Sequence, residues 1–124
     1  MTESTRPRRR RLEVEDIGNV TTVTFTDRKI LDEKNIQTIG EQLFSLLENP
    51  YRRKILLNFT NVEYLSTVAF GKFITLQKKL RVAGGRLVLC NIHPEIYDVF
   101  EITKLNKLFE ITKEQREGLA LLEQ

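Results

Sequence analysis

With its one cysteine, Cys90, the chain cannot close an intramolecular disulfide, which fits a reducing compartment. It also has one histidine, His93, so a Ser-His-Asp arrangement would have to use that residue. His93 sits between a predicted strand end and Pro94, with no serine or cysteine nucleophile beside it, and reads as a loop or helix-capping residue. A metal site needs three or four clustered ligands, and the sequence gathers none. No apolar run approaches the ~20 residues that span a bilayer, and no apolar segment of a secretory signal opens the chain. Gly84-Gly85 is too short for a phosphate-cradling loop and lacks the spacing of a dinucleotide fingerprint. These absences predict a cytoplasmic protein that is not an enzyme, with no cofactor, no metal and no membrane span.

What is present suits one domain. The chain has 124 residues, 40% apolar and 30% charged, enough to bury a core without disulfides or metals. Its charge is uneven. Residues 1–11 hold Arg6, Arg8, Arg9, Arg10 and Arg11 against Glu3, a surplus of four positive charges. The whole chain is +3, so residues 12–124 together carry −1. The basicity therefore belongs to an arm with little apolar content, which predicts disorder over 1–11 and a domain over 12–124.

Leu12 to Ile17 alternates apolar and polar residues, the mark of a half-buried strand. Gly18-Asn19 is turn chemistry and Val20 to Phe25 is β-branched, so an opening hairpin is expected. Asp32 reads as a helix N-cap, with Ile36, Ile39, Leu43, Phe44, Leu46 and Leu47 at helical spacing and Asn49-Pro50 as the stop. Lys54 to Phe59 is nearly all apolar, as in a central strand covered on both faces. Ser66 or Thr67 opens a second helix that closes at Ala83-Gly84-Gly85. Arg86 to Ile92 is another buried strand, and Pro94 begins a third helix. Leu108 to Ile111 reads as a last strand and Thr112 to Leu122 as a last helix, with Gly118 a mild flaw in it. The order ββαβαβαβα predicts an α/β fold with a mostly parallel central sheet, an N-terminal hairpin and about four helices.

Cys90 lies inside an apolar strand and reads as packing. Phe70, Phe73, Phe100 and Phe109 fall on apolar faces and read as core, not as a stacking platform. The segment that stands out is Asn61 to Gly71 (N-V-E-Y-L-S-T-V-A-F-G), which joins a buried strand to a helix. A hydroxyl at a helix N-terminus can cap an orphan backbone N–H, worth about 1 kcal/mol. It can also accept a phosphate, which would face unpaired N–H groups and the positive end of the helix dipole. Caps are common and phosphosites rare, so the residues alone favour the cap.

At this segment the chain resembles the STAS domain of anti-sigma factor antagonists. The carriers are the hairpin, Leu31-Asp32 before the first helix, and Ile55 to Phe59 leading through Asn61-Val62-Glu63-Tyr64-Leu65 to the hydroxyl pair. Ala83 to Leu89, Val99 to Leu105 and Leu108 to Ile111 follow in order. The resemblance implies a binder that engages an anti-sigma factor, itself a serine kinase, and so frees a sigma factor. It implies that the kinase phosphorylates one hydroxyl at the start of the second helix, that the phosphoprotein lets go, and that a phosphatase resets it. The family pattern is Asp-Ser-Ser/Thr-Gly-Leu-Gly. Aligned on Tyr64 and Gly71, Ser66 takes the Asp position and Thr67 the acceptor position. Val68, Ala69 and Phe70 replace the second hydroxyl, the first Gly and the Leu. Asp32 matches the acidic residue beside the acceptor. The resemblance thus makes Thr67, or else Ser66, the phosphoacceptor, and Asp32, Ser66, Thr67, Val68, Ala69 and Phe70 the partner-binding candidates.

Other readings stay open. The departures from the motif allow a STAS scaffold that is never phosphorylated. Arg6, Arg8, Arg9, Arg10 and Arg11 would serve nucleic-acid or anionic-surface binding, with affinity falling steeply in salt. The crevice above an open α/β sheet can take a small molecule or nucleotide, although no residue here demands one.

Overall fold

The computed structural model describes residues 11–123. Arg6, Arg8, Arg9 and Arg10 lie outside that range. Arg11 does not belong with an arm. Its guanidinium stands 2.8 Å from Asp27 Oδ1, its N–H donates to Gln42 Oε1 at 3.0 Å, and its carbonyl accepts from Thr26 N. A carboxylate distant in sequence thus holds this arginine, the first of the described residues.

The hairpin forms as expected, β1 (Leu12–Ile17) and β2 (Val20–Phe25), turning at Gly18 with φ +61°. The chain continues through β3 (Lys29–Ile30), α1 (Glu33–Leu46), β4 (Lys54–Asn58), β5 (Tyr64–Leu65), α2 (Thr67–Val82), β6 (Arg86–Cys90), α3 (Pro94–Ile102), β7 (Glu110–Thr112) and α4 (Gln115–Leu122). The main sheet has the order β1-β2-β4-β6-β7, with β1 antiparallel to β2 and the remaining pairs parallel.

Ile55, Leu56 and Leu57 are all fully buried, which explains the unbroken apolar run of β4. Ile55 and Leu57 face a core shared with α1, α2 and α3. Leu56 faces the other way, to Val20, Val88, Cys90 and Leu122 beneath α4. Phe25, Phe59 and Phe73 form a ring cluster with centroids 4.8–5.7 Å apart, and Phe70 and Phe109 flank Phe100. The aromatic residues expected in the core are there.

The α2 helix ends in a turn at Gly84, φ +80°, followed by Gly85, whose absent Cβ leaves room for the Arg53 carbonyl oxygen. The last strand starts later than expected. Leu105–Lys107 form a 3-10 turn after Lys104, which takes a left-handed φ of +63°. That turn drops Phe109 into the core before β7 begins. Gly118 is not a flaw. A Cβ there would stand 2.5 Å from Leu56 Cδ1, so glycine lets α4 lie close on β4.

Candidate functional site

Two short strands build the site. β3 and β5 pair in parallel, Lys29 with Tyr64 and Ile30 with Leu65, in a sheet separate from the main one. Ser66 N extends the pairing by donating to Ile30 O at 2.9 Å. Just beyond each strand a helix begins, so this register sets the N-termini of α1 and α2 side by side.

Asp32 caps α1, its Oδ1 accepting from Lys34 N at 2.7 Å. Ser66 caps α2, its Oγ accepting from Val68 N at 3.1 Å while its carbonyl accepts from Ala69 N. The bland role is therefore filled by Ser66. Thr67 is the first residue of α2, exposed, and among the described residues its hydroxyl has no hydrogen-bond partner. The first turn of α2 holds no acidic side chain, whereas α1 has Glu33 there.

Around this pair lies a mixed surface. A groove of about 370 Å³ runs between the two helices, lined by Glu33, Lys34, Ile36, Gln37, Val68 and Lys72. Lys72 Nζ donates across it to Gln37 Oε1 at 3.1 Å. Beside it a hollow of about 250 Å³ is lined by Leu31, Tyr64, Phe70, Glu95 and Val99, among others. Leu31, Tyr64 and Val68 are about half exposed, at 52, 48 and 57%. Arg28 and Lys29 both approach the Tyr64 ring, and Glu63 pairs with Arg28 at 3.0 Å, which raises the guanidinium further above its ordinary value.

Of the residues proposed from sequence, Asp32, Ser66, Thr67 and Val68 meet on this face. Ala69 and Phe70 lie beneath it, Phe70 at the floor of the hollow. They are 2% and 4% exposed and pack inward, Phe70 with its ring 4.8 Å from that of Phe100. They shape the face from beneath. Leu31 and Tyr64 were used above only as landmarks, yet they supply its exposed apolar surface. For Leu31 the available signal was a large apolar residue directly before the Asp32 cap; Tyr64 stands two residues before Ser66 and carried no such signal.

Nothing on this face resembles a catalytic set. His93 lies at the start of α3 with Nε2 3.1 Å from the Thr60 carbonyl oxygen. Cys90 is fully buried in β6, and burial pushes its thiol up to about 12. Among the described residues no three His, Cys, Asp or Glu side chains gather, and no helix is long and apolar enough to cross a membrane. A crevice of about 500 Å³ over the ends of β6 and β7 is lined by Ile92, Pro94, Tyr97, Ile111, Thr112 and Lys113. An exposed hydroxyl at a helix N-terminus without an acidic side chain in its first turn, ringed by half-exposed apolar side chains and both signs of charge, is chemistry for binding a protein and for holding an added anion.

This fold defines a small α/β module with a mostly parallel sheet. The chain belongs to the STAS domain family, whose pattern matches residues 11–118. It is 24% identical over 91 residues to BtrV of Bordetella bronchiseptica, a protein named for anti-sigma factor antagonism, covering 73% of this chain and 78% of that one. Its fold matches an anti-sigma-factor antagonist (STAS) domain protein from Planctomyces limnophilus, with TM-score 0.81, 19% identity and coverage of 91% and 98% of the two chains. It also matches the Bacillus anti-sigma factor antagonist SpoIIAA in its unphosphorylated form, with TM-score 0.66, 15% identity and coverage of 88% and 94%. SpoIIAA is also known in a phosphorylated form.

Proposed function

We propose that this protein is an anti-sigma factor antagonist that binds an anti-sigma factor with serine-kinase activity through the α1–α2 face, and that Thr67 is the switch. The observation that carries the reading is the division of labour at the helix start. Ser66 spends its hydroxyl on the cap, and Thr67 keeps an exposed one at the N-terminus of α2. A phosphate there adds about −1.5 to −2 charge to a surface that otherwise offers Leu31, Tyr64 and Val68 to a partner. Binding and release would then follow from contact area gained and charge added, with no chemistry performed by this chain. The phosphatase that resets it and the cytoplasmic setting belong to the same reading.

A second reading has its own support. Ser66, Val68 and Ala69 depart from the acceptor motif, which favours a scaffold that binds without being modified. One experiment separates the two. The protein is captured from its own cells and its companions are identified by mass spectrometry. Cleavage after Lys54 and Lys72 yields residues 55–72 as one peptide, containing both candidate hydroxyls. Recovery of an ATP-binding anti-sigma kinase with phosphate on Thr67 supports the switch. Recovery of another assembly with an unmodified peptide replaces it with the scaffold.

A further inference from the structure

We infer that the corner where the C-terminal half of α2 meets the turn after α3 is a docking surface for an anionic membrane. The inference does not rest on the partner-switching reading. Gln77 is buried and its Nε2 donates to Leu108 O at 2.7 Å, which ties α2 to that turn. Lys79 leans the other way, its Nζ over the Phe44 ring of α1. Lys78 lies between these two directions and is exposed, and Arg81 stands one helical turn beyond Gln77. Lys104 precedes the 3-10 turn and Lys107 ends it, both exposed. Among the described residues no carboxylate pairs with Lys78, Arg81, Lys104 or Lys107. The acid at the start of β7, Glu110, is taken by Arg86 through two hydrogen bonds of 2.7 and 2.5 Å. Glu101, in the last turn of α3, offsets one of these cations and leaves the corner basic.

Lys104 adds an independent sign. It takes φ +63°, where glycine or asparagine sits with less strain. The end of α3 explains the conformation but not a lysine in it, and strain is kept where a side chain has a use. Ile102 and Leu108 flank the charge, 80 and 46% exposed. Lysines around protruding aliphatic side chains suit the boundary between anionic headgroups and acyl chains. A nucleic acid would give Ile102 and Leu108 nothing to bury against, and the corner has no exposed aromatic ring to stack on a base. Lysine predominates among the cations, and its flexible point charge suits mobile headgroups, whereas the fixed carboxylates of a protein partner favour the arginine fork. Arg81 lies about 20 Å along α2 from Thr67, so a docked chain keeps the α1–α2 face open.

Co-sedimentation of the full chain with phosphatidylcholine vesicles, with and without roughly one third phosphatidylserine, tests this. Arg6, Arg8, Arg9 and Arg10 would be drawn to the same vesicles, so the measurements use a chain in which each of them is replaced by Gln. That chain is expected to pellet with the phosphatidylserine vesicles at about millimolar lipid, to ignore phosphatidylcholine alone, and to let go as salt rises. Lys78→Gln, Arg81→Gln, Lys104→Gln and Lys107→Gln should each weaken binding roughly five-fold. Ile102→Ser changes no charge and should still weaken it several-fold. Lys113→Gln, by the crevice at the opposite ends of the strands, should leave it unchanged. Circular dichroism confirms that each chain is folded. Failure to pellet, equal pelleting with phosphatidylcholine alone, or indifference to the changes at the corner overturns the proposal. Duplex DNA or polyglutamate that displaces the vesicles at equal concentration of charge overturns it too, and assigns the corner to that class of partner.

Discussion

Replacing Ser66 and Thr67 one at a time separates the cap from the acceptor. Ser66→Ala removes the Oγ that accepts from Val68 N, while the backbone bonds from Ser66 N to Ile30 O and from Ala69 N to Ser66 O need no side chain. Loss of an N-cap costs about 0.5–2 kcal/mol. Val68 is 57% exposed, so water can satisfy part of the freed donor and the cost falls in the lower half, about 0.5–1 kcal/mol. For a domain of this size that lowers Tm by about 2–5 °C. Thr67→Val removes a hydroxyl that makes no hydrogen bond among the described residues, so stability should change by less than about 0.5 kcal/mol. Urea unfolding followed by circular dichroism reads both values. Incubation with the kinase and ATP then reads the other half, where Thr67→Val should take up no phosphate and Ser66→Ala should still be modified. If Thr67→Val costs as much stability as Ser66→Ala, or if phosphate appears only when Ser66 is present, the division of roles is wrong.

Two further outcomes follow from the packing and the ion pairs. Gly118→Ala would raise helix propensity by about 1 kcal/mol in open solvent, but its Cβ would meet Leu56 Cδ1 at 2.5 Å against a fully buried strand. Overpacking of about 1–3 kcal/mol outweighs the gain, so urea unfolding should show a net loss near 1 kcal/mol, and a stabilised variant would refute the contact. The Arg86 side chain, chiefly by hydrogen bonding, holds the Glu110 carboxyl below its ordinary 4.5, and Arg52 followed by Thr21 holds Asp16 below 3.8. Both folded values are depressed, so the stability they add is fully present above the ordinary values and is lost as pH falls through the depressed ones. Unfolding measured from neutral pH into that acid range should show a shallower loss in Arg86→Gln than in the wild type, and an unchanged slope would remove Glu110 from the account.

Much of this fold is legible in the residues. The strands β4 and β6 are unbroken apolar runs because both faces are covered, and Asp32 and Ser66 announce their helices by cap chemistry. The two-residue strands β3 and β5 carry no period to detect, yet they set the geometry of the site. Pairing across 35 positions cannot be read from local pattern. Arg11 was misplaced for the same reason, since its partner Asp27 is 16 residues away. Ala69 and Phe70 are a different case, since both are buried. Ala69, Phe73, Leu76 and Leu80 already form an inward stripe at helical spacing, so periodicity places Ala69 in the core.

The same stripe explains how one helix start can serve both stability and signalling. From Ala69 onward, the inward side chains of α2 tie it to the main core, and Phe73 is fully buried among Phe25 and Phe59. Thr67 and Val68, ahead of that stripe, look outward, and they follow a strand held by a small separate sheet. On the proposed reading, charge added at Thr67 would act on the surface, away from the aromatic cluster of Phe25, Phe59 and Phe73. The replacement of the family's Asp by Ser66 works in the same direction. A serine keeps the cap but leaves the first turn without a negative side chain, so the helix N-terminus is not already compensated. An anion arriving there, whether a phosphate on Thr67 or a carboxylate from a partner, would meet the N–H groups of the first turn, of which the Ser66 Oγ takes only that of Val68. In a protein with an acid at the cap it would meet a like charge.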